Sequence, residues 1–459
     1  MDGRRPTRAS SSTPNISIPS WAIRRIKPSS ARSSGFKARG RLARRAFPSH
    51  TRLLPGEKAF PLLTRGEGMW STPHEEVFPM PYEKLFSPIT INGMRLENRI
   101  VMAPAHEGLA TRDGFVTPAY SDYYFRRAQG GVAMIVLGGV AINPRPFPAL
   151  RLSDDKYIPG LREMVSRIHA ETKTKIVPQI YDWLKIAKGW KQKVEEVPIE
   201  QIKQSIDFFE AGALRARECG FDAVELHAAH GYILASLLSA NNKRKDEYGG
   251  SLENRMRLTL EVYERLRKAL GKDYPIGIRI NGDDFIIGGN TLLHTRQIAK
   301  KLAAVGFDYI SISAGGKYDD STGTDPFGLP VPYPPWSGYS GFRCMPQADM
   351  PEAVNVYLAE SIREAVHSAG YSTPIMTAGR ITTPDLAERI LEKGQADLIG
   401  VCRQLIRDPD WPKKAREGRA KEIKKCIYCN ECLTMAFTGE GGYCKVTKAE
   451  EEKAARQSK

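Results

Sequence analysis

Cysteine is scarce in this chain and unevenly spent: of seven cysteines in 459 residues, four fall between Cys426 and Cys444. No apolar run approaches the roughly 18 residues that a membrane helix needs, and the N-terminus lacks the compact hydrophobic segment of a secretory signal. The expectation is a cytoplasmic protein with no membrane partner. In that reducing setting, clustered thiols bind metals or do chemistry more often than they form disulfides. Acidic residues are nearly missing from positions 1–66, which hold 15 Lys and Arg against Asp2 and Glu57. That stretch carries +13 of the net +16, so the remainder is close to neutral and no nucleic-acid partner is expected for it.

Rich in Ser and Pro and without hydrophobic period, residues 1–80 read as a disordered basic tail. Three accounts stay open for it: a transit-like peptide, a nucleic-acid arm, or a solvated tail ahead of a true start at Met69. Beyond it, eight short apolar runs alternate with amphipathic stretches: RIVMAP (99–104), VAMIVLG (132–138), TKIVPQI (174–180), DAVEL (222–226), PIGIRI (275–280), DYISIS (308–313), PIMTAG (374–379) and ADLIGV (396–401). Helical patterns at 201–220, 255–271, 295–306 and 383–394 separate several of them. Apolar strands alternating with helices imply a parallel sheet covered on both faces, and eight of them imply closure into a TIM barrel over residues 81–420. An open doubly wound sheet is the alternative.

In such a barrel the chemistry sits where strands end. After the fourth run stand His227, His230 and Tyr232. Two imidazoles three residues apart can address one substrate oxygen, and a phenol of ordinary pKa near about 10 can donate a proton. Two structural histidines and a packing tyrosine are the plainer account. Gln179 and Arg279, on the third and fifth runs, suit the pyrimidine edge of a flavin; alternatively Gln179 closes a loop and Arg279 pairs with Asp283 or Asp284. Gly379 with Arg380, and Gly400 to Arg403, stand after strands seven and eight, where TIM barrels often bind phosphate. Ordinary tight turns would also explain those glycines.

The cysteines have the spacing C-x2-C-x2-C-x11-C: Cys426, Cys429, Cys432 and Cys444. Three close thiols with a remote fourth suit a [4Fe–4S] cluster better than paired zinc knuckles or free thiols. The segment 421–459 is therefore read as an iron–sulfur unit with a C-terminal tail.

Ordered blocks from about residue 82 to 446 resemble the Old Yellow Enzyme superfamily: LFSPITINGMRLENRIVMAPAHEGLAT, RRAQGGVAMIVLGGVAINP, GFDAVELHAAHGYILASLLSANNKRKDEYGGSLENRMRL and DLIGVCRQLIRDPDWPKKAREG. The resemblance implies FMN in the barrel, with Ala103 and Pro104 near its ring. Gln179 and Arg279 would then hold the pyrimidine, and Gly379, Arg380, Cys402 and Arg403 the phosphate. It also makes His227 and His230 the substrate-carbonyl pair and Tyr232 the proton donor. The cysteine pattern resembles the branch with 2,4-dienoyl-CoA reductase and trimethylamine dehydrogenase, whose cluster passes electrons to FMN and whose chain continues into a second nucleotide-binding domain. Only 15 residues follow Cys444 here, so the expectation is a separate electron-transfer flavoprotein subunit, or NADH or NADPH acting directly or indirectly.

Departures from that branch bear on the substrate. GGKYDD, with Tyr318, stands where dienoyl-CoA reductases carry GWHE; Trp183 alters the third-strand loop; His106 replaces the Thr or Cys other members place beside the flavin. The segment from Gly315 to Met350 reads as a lid or as an aromatic cluster on the rim. The activity expected is reduction of the C=C bond of an α,β-unsaturated carbonyl or enoyl thioester by a homo-oligomer. Oxidation of an amine or alcohol, or service as an electron-relay subunit, are the alternatives.

Overall fold

Residues 81–143, 149–182, 193–316 and 338–457 are described by a computed structural model. The basic tail, Trp183, Tyr318 and most of the 315–350 loop lie outside the described residues. Two short strands come first, β1 (Ile89–Ile91) and β2 (Met94–Leu96). They pair antiparallel across Asn92 and Gly93, both at positive φ as a two-residue hairpin requires. Eight strands follow: β3 (Ile100–Met102), β4 (Met134–Ala141), β5 (Lys175–Tyr181), β6 (Val224–Ala228), β7 (Ile276–Asn281), β8 (Tyr309–Ser313), β9 (Ile375–Ala378) and β10 (Leu398–Val401).

These eight run parallel in chain order and close where β10 meets β3, with Ile399 beside Ile100. Closure excludes the open doubly wound sheet, and each apolar run read from the sequence is a barrel strand. Helices Ile199–Glu218, Leu252–Leu270, Leu292–Val305 and Pro384–Glu392 match the four amphipathic patterns within a few residues. Their ends are written locally. Ser251 accepts the N–H of Asn254 at 3.3 Å, and Thr383 accepts that of Leu386 at 3.2 Å, each capping a helix start.

Neighbouring residues on a strand point to opposite faces, so the barrel feeds two cores. Leu226, Ile278, Ile280 and Ile310 face outward into a layer with Phe209, Val262 and Leu302 of the helices. Val101, Met134, Val177, Tyr309, Met376 and Leu398 fill the interior, which the hairpin residues Ile91, Met94 and Leu96 close at the strand starts. A Cβ on Gly277 would stand 2.1 Å from Cζ of Tyr309. Glycine there lets the tyrosine ring occupy the interior.

One device recurs at the strand starts. Asp222, Asp308 and Asp397 stand one or two residues before β6, β8 and β10, and each carboxylate accepts an N–H from the first or second residue of the strand before. The bonds are Ile176 to Asp222 at 2.8 Å, Ile276 to Asp308 at 2.7 Å and Ile375 to Asp397 at 2.9 Å. Each aspartate also meets a cation: Lys175 and His169, Arg267, and Arg363 respectively. Burial pushes the Asp222 carboxyl up, but His169, the Ile176 N–H and Lys175 outweigh it and hold the group below its ordinary range. A depressed pKa contributes stability above the unfolded value and loses it as pH falls through the folded one. Asp222→Ala should therefore lower the unfolding free energy by about 1–3 kcal/mol at neutral pH, since it strands a backbone donor. In denaturant titrations the gap from wild type should narrow as the pH drops below the usual aspartate value of about 3.9.

Candidate active site at the strand ends

Toward the C-terminal ends of the strands the interior turns polar. Gln179, Glu225, His227, Arg279, Ser311 and Ser313 are all buried at inward positions of β5 to β8. Register sets the layers: Gln179 stands opposite Glu225, and His227 opposite Arg279, which in turn stands opposite Ser311. Gln179 donates Nε2–H to Glu225 Oε1 at 2.7 Å. Arg279 donates through its two terminal nitrogens to Ser311 Oγ at 2.6 Å and Ser313 Oγ at 3.2 Å, leaving its buried Nε without an acceptor. The structure thus answers two open points from the sequence: Gln179 is a strand residue rather than a loop closure, and Arg279 binds serines rather than Asp283 or Asp284.

His227 is level with Arg279 in this layer, and His230 and Tyr232 join it just beyond the end of β6. The His227 ring lies 5.0 Å from that of His230, nearly perpendicular at 88°, and 4.5 Å from that of Tyr232. His227 Nδ1 accepts the N–H of Ala229 at 3.4 Å, an arrangement that suits the tautomer with its proton on Nε2. His230, turned by a left-handed φ of 60°, places Nε2 2.6 Å from Ser313 Oγ. Ser313 therefore links Arg279 to the histidine pair. Tyr232 is half-buried and stacks at 4.7 Å on Tyr181, the last residue of β5.

Ala103 directly follows β3, its N–H bonded to Val401 O at 3.0 Å, and Pro104 comes next. Gly400 lets three strand ends crowd together: a Cβ there would be 2.8 Å from Thr377 O and 3.5 Å from Ala103 Cβ. Gly379 adopts φ 126° and Arg380 φ 54°, a turn that L side chains seldom make. Arg380 donates to Gln347 O and keeps a buried Nε without acceptor, while Arg403 donates to Pro346 O at 2.8 Å and Asn430 Oδ1 at 2.6 Å.

Both of these guanidinium groups also lie over one ring, that of Tyr428, at 4.8 Å and 4.7 Å from its centre. Tyr428 sits between Cys426 and Cys429, so the loops after β9 and β10 grip the cysteine segment. Gln404 completes the grip, accepting the Cys426 N–H at 2.8 Å and donating to Lys424 O at 2.8 Å. On the other side the helix Glu431–Thr438 packs so closely on Gly108 that a Cβ there would be 2.1 Å from Ala436 O, and Phe437 lies 5.1 Å from His106.

Cys429 is exposed, and the other three cysteines of the segment are half-buried. Burial pushes the Cys432 thiol up to about 12 and that of Cys402 to about 11. Cys426 is also raised by burial, and Cys429 and Cys444 act on it through space. Among the described residues no three His, Cys, Asp or Glu side chains converge closely enough to hold an ion.

Several residues of this region escaped the sequence reading. Glu225 was legible only as an acid inside the apolar run DAVEL. Ser311 and Ser313 looked like ordinary strand residues, and Tyr428 like filler between cysteines. Glu107 was hidden as well: burial lifts its carboxyl to about 7, against the pull of the Tyr120 and Tyr124 hydroxyls.

The chain matches the NADH:flavin oxidoreductase / NADH oxidase family over residues 84–185, 184–319 and 349–422. It is 38% identical to an NADH oxidase from Thermoanaerobacter brockii over 375 residues, covering 76% of this chain and 53% of that protein. It is 35% identical to an NADPH dehydrogenase from Halalkalibacterium halodurans over 350 residues, covering 72% of this chain and 94% of the relative. A solved 2-naphthoyl-CoA reductase, in complex with 2-naphthoyl-CoA, superposes with a TM-score of 0.66 at 28% identity, covering 76% of this chain and 54% of that one. Against the NADH oxidase and the naphthoyl-CoA reductase the chain thus spans about half the relative's length. No helix among the described residues is long and apolar enough to cross a membrane. Barrel, strand-end site and matched span together place this chain in the NADH:flavin oxidoreductase / NADH oxidase family, whose members are oxidoreductase flavoproteins that use FMN and NAD(P)H.

Proposed function

We propose that the protein reduces the C=C bond of an α,β-unsaturated carbonyl or enoyl thioester, with electrons supplied by NADH or NADPH through a [4Fe–4S] cluster, directly or by way of a separate flavoprotein subunit. The observation that carries this reading is the trio His227, His230 and Tyr232 packed together at the end of β6, with His227 beside Arg279. FMN fits the residues present. Two buried guanidinium Nε donors, on Arg279 and Arg380, lack acceptors, and they belong to the groups assigned to opposite ends of the cofactor. Gln179 and Arg279 would hold its pyrimidine, and Arg380, Arg403 and the backbone at Gly379 and Cys402 its phosphate. When bound, FMN supplies a hydride for the substrate β-carbon.

The residues of the chain do the rest. His227, protonated on Nε2, and His230, fixed on Ser313, donate to the substrate carbonyl and stabilise the negative charge that builds on its oxygen. Tyr232 then delivers its phenolic proton to the α-carbon, so that hydride and proton together saturate the bond. The reductase found with 2-naphthoyl-CoA gives an aromatic thioester as one substrate to try. Tyr232→Phe should slow oxidation of the reduced enzyme by 2-cyclohexenone or an enoyl-CoA by about 10²–10⁴-fold in anaerobic stopped flow, leaving reduction by NAD(P)H unchanged. Oxidation as fast as wild type would sink the assignment.

For the cluster, the support is the C-x2-C-x2-C-x11-C spacing together with a Tyr428 N–H that donates to Cys426 Sγ at 3.4 Å, the kind of bond that tunes cluster thiolates. Anaerobically prepared protein should contain about four iron and four sulfide per chain. Cys429→Ser, at the exposed position, should lose most of the iron while keeping full flavin content. Zinc in place of iron in the wild type would overturn the cluster.

A further inference from the structure

Glu225 is fully buried, at 0% exposure, in the middle of the barrel. A carboxyl there is costly compared with an apolar side chain of the same size. No step of the chemistry proposed above uses it. Its surroundings are specific. Gln179 donates to Oε1 at 2.7 Å, while Oε2 and the hydroxyl of the neighbouring Tyr309 are both buried without a hydrogen-bond partner. Gly277, its register partner on β7, is the residue that makes room for the Tyr309 ring. Burial raises the Glu225 carboxyl, against the through-space charge of Arg279, the bond from Gln179 and the pull of the Tyr309 hydroxyl.

From this geometry we infer that Glu225 is a positioning residue for the flavin, locking the Gln179 amide with its NH₂ downward so that only the carbonyl oxygen is presented to the pyrimidine edge. The inference rests on FMN occupying the strand ends. An amide alone is ambiguous, because its oxygen and nitrogen exchange places on a half-turn. Glu225 removes the ambiguity in either protonation state. As a carboxylate it is acceptor-only; as an acid its proton goes to Oε2, toward the Tyr309 hydroxyl, and Oε1 still accepts. A flipped Gln179 would set its oxygen against the lone pairs of Oε1. The edge of the site then offers one acceptor, Gln179 Oε1, suited to the N3–H of the pyrimidine, beside one donor, Arg279 Nε, suited to the N1–C2=O side.

The test compares FMN with its N3-methyl analogue, which lacks that N–H, for binding to flavin-free full-length protein. Wild type should bind the analogue at least about tenfold more weakly, the equivalent of one hydrogen bond. Glu225→Gln replaces the carboxyl by an amide that can turn either its oxygen or its NH₂ toward Gln179, so the lock is lost and the ratio should fall. Glu225→Asp keeps the acid but shortens its reach by one methylene, and its ratio should fall toward unity. A merely structural carboxyl would be served as well by aspartate, so an unchanged ratio in Glu225→Asp overturns the inference. If circular dichroism shows that this variant does not fold, nitrogen-15 NMR of FMN labelled at N3 in the wild type decides: slow exchange of the N3 proton with water is expected, and fast exchange overturns it. Failure of the wild type to bind FMN at all would sink the flavin reading itself, a distinct result from an unchanged ratio.

Discussion

Strand register is the constraint on which this molecule depends. Side chains alternate across a strand, so a slip of one residue between neighbours would send Gln179, His227 or Arg279 out of the barrel and into the helix layer. The three aspartates at the strand starts oppose such a slip by fixing an N–H at the start of β5, β7 and β9 to the strand that follows. Two of them, β5 and β7, carry the polar layer together with β6 and β8. The chemistry at one end of the barrel is thereby indexed from the other, several residues away along each strand.

The second organising feature is the way the cysteine segment is attached. It buries Ile423, Tyr428, Leu433, Met435 and Ala436, and polar contacts add to that hold on the barrel. Tyr428 lies against two guanidinium groups, Gln404 bonds Cys426 and Lys424, and Arg407 pairs with Glu450 of the C-terminal helix Lys445–Gln457. Arginines that the sequence offers as phosphate ligands thus have a second occupation. The loops after β9 and β10 are shared between two sites, and neither can move without disturbing the other.

The architecture was largely legible in advance. Apolar β-branched runs such as PIGIRI and DYISIS can be satisfied only by burial on both faces, and eight of them in alternation with helices leave few arrangements. His227, His230, Gln179 and Arg279 could be picked out because strongly polar residues at the ends of such runs have no place in an apolar core. The residues that arrange them could not. Ser313 matters through its position between Arg279 and His230, and Glu225 through an amide on another strand; both relations are tertiary and leave no local trace. The aspartate staples fall between these cases. Asp222, Asp308 and Asp397 stand at the head of alternate runs in plain sight, but their partners lie tens of residues away.

Those staples have a consequence for how the barrel is divided. Each joins an odd strand to the even strand after it, giving the units β5–β6, β7–β8 and β9–β10. A circular permutant opened between units keeps every one of these bonds within an unbroken stretch of chain, whereas one opened inside a unit leaves an aspartate to find its partner across the new termini. Three quarters of the barrel is thus built from stapled strand pairs.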